Sequence, residues 1–88
     1  MDPRADAADR FARHVIELLP GASLEPGDIP WQDAIVFVTV GQLDVDTSDG
    51  EHHRFRAGDV LTLARLPIHE ARNRGATQTR LLAIWRRP

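Results

Sequence analysis

Four histidines, thirteen carboxylates and a few hydroxyls are all that this 88-residue chain offers for chemistry, because it has no cysteine or tyrosine and its eleven basic residues are all arginine. Thiolate metal sites, disulfide scaffolds and cysteine nucleophiles are therefore excluded, as are Schiff-base catalysis and a phenolic acid. Interest falls on "AGDVLTLARLPIHEARN" (Ala57 to Asn73), where His69 stands one residue before an acid and four before Asn73. An imidazole in that setting is a metal ligand, a general base, or a hydrogen-bonded part of a core. His52 and His53 look like a metal pair, but adjacent strand residues face opposite sides of a sheet, so a solvated hairpin suits them better. His14 precedes an apolar strand and has no evident partner. Asp44 and Asp46 alternate with Leu43 and Val45, as solvated charges do beside core positions. No Ser-His-Asp spacing, phosphate-cradling glycine loop or paired catalytic carboxylates can be argued.

The elements that must position these residues are predominantly strands. "AIVFVTV" (Ala34 to Val40) is almost wholly β-branched or aromatic and stops at Gly41. "HVIELL" before Pro20-Gly21 reads as a strand, and "ASLEPGDIPW" as an irregular connection. "QLDVDTSDGEHHRF" is a hairpin signal, with Asp49-Gly50 expected to supply positive φ angles. "AGDVLTL" adds a strand, and "HEARNRGATQTRLLAIW" a short strand, a turn at Gly75 and a last strand over about 79–85. Turn signals recurring every ten residues or so argue for a single antiparallel sandwich or barrel over 14–88. A short helix or arm is expected ahead of it, within 1–13, with its helical portion from about Ala5 to Ala12.

The charge balance of −2, with arginines scattered along the chain, shows no footprint for nucleic acid or an anionic membrane. The N-terminus lacks the apolar core and cleavage site of a secretory leader, and no apolar run approaches the ~18 residues of a membrane span, so a cytoplasmic location is expected. Two strands are apolar on both faces. In "AIVFVTV", Ala34, Val36, Val38 and Val40 are expected to point one way and Ile35, Phe37 and Thr39 the other. "LLAIW" repeats the pattern. Something covers an outer face, and a second copy of the chain, as a homodimer, is the expected cover.

These residues resemble a cupin over about Leu19 to Trp85. The second cupin motif runs glycine, five residues, Pro-x-Gly, two residues, histidine, three residues, asparagine. Gly58, His69 and Asn73 stand at its spacings, while Ala64 and Leu66 replace its proline and glycine. "AGD" (Ala57 to Asp59) and "GQLDV" (Gly41 to Val45) are similar to cupin text too. The first motif keeps a glycine frame, Gly21 and Gly41, but not its metal ligands: Ala34 stands where its glutamate would be. Its histidine positions fall at Gly27 and Ile29, or at Asp28 and Pro30 in the shorter-gap alignment. The resemblance implies an antiparallel cupin-type β-barrel, double-stranded and jelly-roll-like. An open metal site needs about three protein ligands. With His69 alone retained, and Asp28 as a weak second ligand, no metal and no cofactor is expected.

In a cupin register His69 would point into the barrel, desolvated among Val36, Val38 and Leu43 or Val45. Trp31 would lie at the barrel mouth, lining a pocket or capping the core. Trp85 suits the core or an interface. Arg65 and Arg72 flank His69 at even and odd offsets, so Arg65, if inward, would favour an anionic ligand such as a carboxylate. Asn73 suits a structural role at the turn before Gly75. The function expected on this footing is metal-free binding of a small hydrophobic or aromatic molecule inside the barrel, by His69, Trp31, Val36, Val38 and Arg65. The alternative is a cofactor-independent isomerase, cyclase or lyase with His69 as its acid/base. His69→Ala separates the two by abolishing turnover or only weakening binding. A metal-dependent dioxygenase fits less well. A sensor module like that of some transcription factors fits the size, but there is no helix-turn-helix segment to read DNA.

Overall fold

The computed structural model describes residues 10–24, 30–62, 64 and 67–87. Among these described residues seven strands form two antiparallel sheets. They are β1 (Phe11–Leu18), β2 (Ile35–Val40), β3 (Gln42–Thr47), β4 (His52–Arg56), β5 (Val60–Thr62), β6 (Ile68–Arg72) and β7 (Thr79–Arg86), with one 3-10 turn at Trp31–Asp33. The larger sheet has the order β1-β7-β2-β5 and the smaller β4-β3-β6. The β-branched and aromatic runs form the strands, and the glycine-bearing stretches form the corners between them. Gly21, Gly41, Gly50 and Gly58 all adopt positive φ. No described helix is long and apolar enough to cross a membrane.

The inner faces of both sheets close on one core. Val36, Val38, Leu43, Val45, Leu61, Leu81 and Ala83 are buried there, with Leu18, Ala34 and Ala71 around them. Side chains of directly paired residues share a sheet face, so the ladders assign each side chain its direction. Val36 pairs with both Leu61 and Ala83, and Val45 with both Ala71 and His53.

One end of the barrel is stitched shut where β2 turns into β3. The Thr79 hydroxyl donates to the Gln42 carbonyl and accepts from the Gln42 N–H at 3.0 Å. Gly41 sits directly over this pair, and a Cβ there would come within 2.6 Å of the Gln78 carbonyl oxygen. Glycine is thus required for space as well as for φ. Asn73, fully buried, donates through Nδ2 to the carbonyls of Leu18 at 3.0 Å and Thr77 at 2.7 Å. Its Oδ1 accepts from the Gly75 N–H at 2.9 Å, so the turn before Gly75 hangs on this side chain. The chain after β1 also docks here, with Leu24 N–H on the Ala71 carbonyl and Asn73 N–H on the Ala22 carbonyl.

Three local expectations need correction. Phe11 and Ala12 are extended rather than helical, because their ladder partners Arg86 and Trp85 prolong the β1–β7 pairing; the rest of the expected arm, 1–9, lies outside the described residues. Val40 does not point inward with Val36 and Val38: the ladder slips between Val38 and Val40, so Thr39 is an extra residue and Val40 pairs with outward Arg80. In the β3–β4 hairpin only Gly50 has positive φ; Asp49 does not, because the turn is closed by Gly50 N–H on the Thr47 carbonyl rather than by a two-residue loop.

Candidate functional site

The opposite end of the barrel is where chemistry-bearing residues gather. In the larger sheet β1 and β2 begin, and β5 and β7 finish, at the margin away from Gly41; in the smaller sheet β4 and β6 begin, and β3 finishes, at the margin away from it. Trp31, in the 3-10 turn leading into β2, and Trp85, near the end of β7, are both half-buried against the common core. Ile35 pairs with Ile84, one residue before Trp85 on β7, while the 3-10 turn bearing Trp31 lies against β5 on the other side of β2. His53 pairs with inward Val45 and so faces the barrel, its ring stacked on Phe55 at 6.4 Å between centroids and 23° between planes. Its Nε2 lies 3.2 Å from Glu51 Oε2.

His69 sits at this end too, but not as expected. The β3–β6 ladder pairs Asp46 with Glu70 and then Thr47 with Ile68, so His69 is the extra residue of a β-bulge. Bulges re-aim a side chain away from strict alternation. His69 is exposed, and the desolvated imidazole among valines that alternation implied is absent. Val36 and Val38, expected to touch a ligand, are 0% and 1% exposed, which leaves almost no surface for one to contact. Trp31 stands in the 3-10 turn ahead of β2, half-buried against the core. Arg65 and Asp28 lie outside the described residues. His14 pairs with inward Ala83, yet it is exposed because β1 is the edge strand.

His53 and Phe55 are site residues that reading along the chain missed. The adjacent pair His52-His53 does split across the sheet, so one ring had to face inward, and only the pairing with Val45 reveals which. The signal was Phe55, an aromatic at the i+2 position on the same face as His53.

His52 takes the outer side and belongs to a charged network on the smaller sheet. Asp44, 1% exposed, accepts from Arg54 Nε at 2.8 Å, Gln42 Nε2 at 2.8 Å and the Arg74 N–H at 3.1 Å. Burial alone would raise its pKa, but these donors outweigh burial and hold the carboxyl below its ordinary value. Asp46 is lowered as well, chiefly by its 2.7 Å hydrogen bond to His52 Nδ1 and also by Arg74. Thus Asp44 is not a solvated charge: its outward side chain is covered by the long side chains around it. This network lies on the outside of the barrel and shares nothing with the rim.

The described residues do not fit a metal. No group of three or more His, Asp or Glu side chains among them comes together in a way that could hold an ion. His14, His53 and His69 stand on three different strands, β1, β4 and β6, and Asp44 and Asp46 are engaged by arginines on the outer face of the smaller sheet.

Two antiparallel sheets closed over a single apolar core, with one stitched end and one aromatic end, define a small jelly-roll barrel. The chain belongs to the cupin family: the model described as "Cupin domain" matches residues 14–85. A Cupin 2 conserved barrel domain protein from Salinispora arenicola CNS-205 is similar at 28% identity and a TM-score of 0.69, over 89% of this chain and 64% of that one. The Cupin_2 domain of an XRE family transcriptional regulator from Enterobacter cloacae is 24% identical with a TM-score of 0.63, covering 94% of this chain and 87% of that one. A sugar phosphate isomerase from a cupin superfamily, from Silicibacter pomeroyi, is 23% identical with a TM-score of 0.67, over 96% of this chain and 56% of that one. The last two likenesses are of fold alone. The chain thus spans under two thirds of the length of the first of these relatives. No curated protein sequence matches it.

Proposed function

We propose that this cupin binds a small hydrophobic or aromatic molecule at the open end of its barrel, without a metal ion. The observation that carries the reading is that two indoles, Trp31 and Trp85, are half-buried and packed against the barrel core. Indole faces give a flat apolar ligand stacking area, and the imidazoles provide hydrogen-bonding groups at the water boundary. The ligand engages the rim rather than the barrel interior, because Val36, Val38, Val45 and Leu43 already fill that interior. His69 orients the ligand by a hydrogen bond. No observation favours proton-transfer catalysis, since the dry setting that would tune an imidazole for it is missing at an exposed bulge residue.

The test is a fluorescence titration in a Trp85→Phe background, which leaves Trp31 as the sole indole. Indole-free aromatic carboxylates and neutral naphthyl compounds serve as probes. Saturable quenching, weakened about tenfold by Trp31→Phe when followed by calorimetry and a few-fold by His69→Ala, is the expected result. Probes that bind with unchanged affinity in both variants would place the site elsewhere and sink the proposal.

A further inference from the structure

Asp49 is the one aspartate of the chain that precedes a glycine, and the single asparagine, Asn73, precedes an arginine. The Asp49-Gly50 pair is exposed at the turn of the β3–β4 hairpin, where Gly50 has a φ of 90° and open space around it. An aspartyl side chain can react with the backbone nitrogen that follows it. The Gly50 nitrogen attacks Cγ of the protonated Asp49 carboxyl; a C–N bond forms, the C–OH bond breaks, and the hydroxyl leaves as water with the amide proton. Water then adds back to either carbonyl of the five-membered imide. One product is the original peptide, and the other is an isoaspartate of the same mass whose main chain runs through Cγ. A following residue with a Cβ crowds the attacking nitrogen, and glycine has none.

One buried residue holds both reactants. Thr47 is 5% exposed, and its hydroxyl donates to Asp49 Oδ1. That oxygen also accepts from the Glu51 N–H at 3.0 Å, while the Thr47 carbonyl accepts from the Gly50 N–H at 3.1 Å. The electrophile and the nucleophile are thus each tied to Thr47 instead of to one another. The hydroxyl bond is also the chief reason that the Asp49 carboxyl is held below its ordinary value, and an ionised carboxylate has no hydroxyl to expel. We infer that Asp49-Gly50 is the covalent ageing site of this protein, and that the Thr47 hydroxyl sets the rate at which isoaspartate forms there. The consequence reaches the sheet. An isoaspartate adds one carbon to the main chain between Thr47 and Glu51, the span over which the hairpin is closed by the Thr47 N–H on the Glu51 carbonyl at 2.9 Å. It therefore loosens the register that sets His52 opposite Asp46 and His53 opposite Val45. The inference goes beyond the ligand reading and does not depend on it.

The test is incubation of the full chain for several weeks at about 37 °C and about pH 6, with isoaspartate located by chromatography and electron-transfer fragmentation of its peptides. Isoaspartate is expected at Asp49 ahead of every other aspartate. Thr47→Val keeps the shape but loses the hydroxyl, and it is expected to form isoaspartate about fivefold faster, the worth of one net hydrogen bond. Thr47→Ser restores the hydroxyl and is expected to stay within about twofold of the parent. Circular dichroism checks that both variants are folded. A second measurement needs no variant: the parent unfolded in guanidinium chloride is expected to react at least fivefold faster than the folded parent. Equal rates for folded and unfolded parent overturn the inference. So does isoaspartate that accumulates first at another aspartate, or a folded Thr47→Val that reacts no faster than Thr47→Ser.

Discussion

Replacing Asn73 by alanine probes what the second cupin motif does in this chain. The side chain is fully buried and makes three hydrogen bonds, two donated to the carbonyls of Leu18 and Thr77 and one accepted from the Gly75 N–H. Each net bond contributes about 1 kcal/mol, and each buried partner left without its mate costs about 1–3 kcal/mol. The small void adds to this, for an expected loss of about 3–5 kcal/mol. A domain of this length holds about 4–13 kcal/mol in total, so the variant stands near the limit of folding. The melting temperature should fall by well over 10 °C, at about 4–8 °C per kcal/mol. Urea denaturation followed by tryptophan emission and by circular dichroism reads the loss directly. Asn73→Asp keeps the shape and the Gly75 contact but points a carboxylate at two carbonyls, and it should be at least as damaging near neutral pH. A loss below about 1 kcal/mol for Asn73→Ala would refute the claim that this side chain stitches the end shut.

The same stability assay checks two further points. Asp44→Asn removes an acceptor held by Arg54, Gln42 and the Arg74 N–H. Because the folded pKa of Asp44 is depressed, its contribution is complete above the ordinary carboxylate value of 3.8 and is lost as pH falls through the folded value. The variant should therefore lose about 1–2 kcal/mol at pH 7, the half-exposed Arg54 limiting the effect, and the gap to the parent should shrink as the pH is lowered below 3.8; a gap that does not change with pH would contradict the assignment. The two glycine corners give a paired test. Gly50→Ala meets open space and should cost only about 1–2 kcal/mol for its left-handed φ, whereas Gly41→Ala adds a clash with the Gln78 carbonyl and Thr79 hydroxyl and should cost about 3 kcal/mol or more. Equal costs would mean that Gly41 is kept for φ alone.

Strand identity and barrel class were legible along the chain because they rest on short-range rules. β-branched runs stiffen extended backbone, and glycines with turn residues punctuate them. The same rules marked β2 and β7 as apolar on both sides, and spacing alone marked Asn73 as a structural residue near Gly75. The direction of individual side chains was decided only by tertiary pairing. Alternation assigns faces correctly until a ladder slips, and each of two slips reversed an assignment. At Thr39 the slip turned Val40 outward and enlarged the apolar face; at His69 it exposed an imidazole expected inside. Nothing in the residues Thr39 or His69 announces a bulge, because a bulge is a mismatch between two strands distant in sequence. His52 and His53 show the same limit from the other side. Their split across the sheet follows from the two-residue period of a strand, but which ring joins Phe55 inside and which joins Asp46 outside is settled only when β4 pairs with β3.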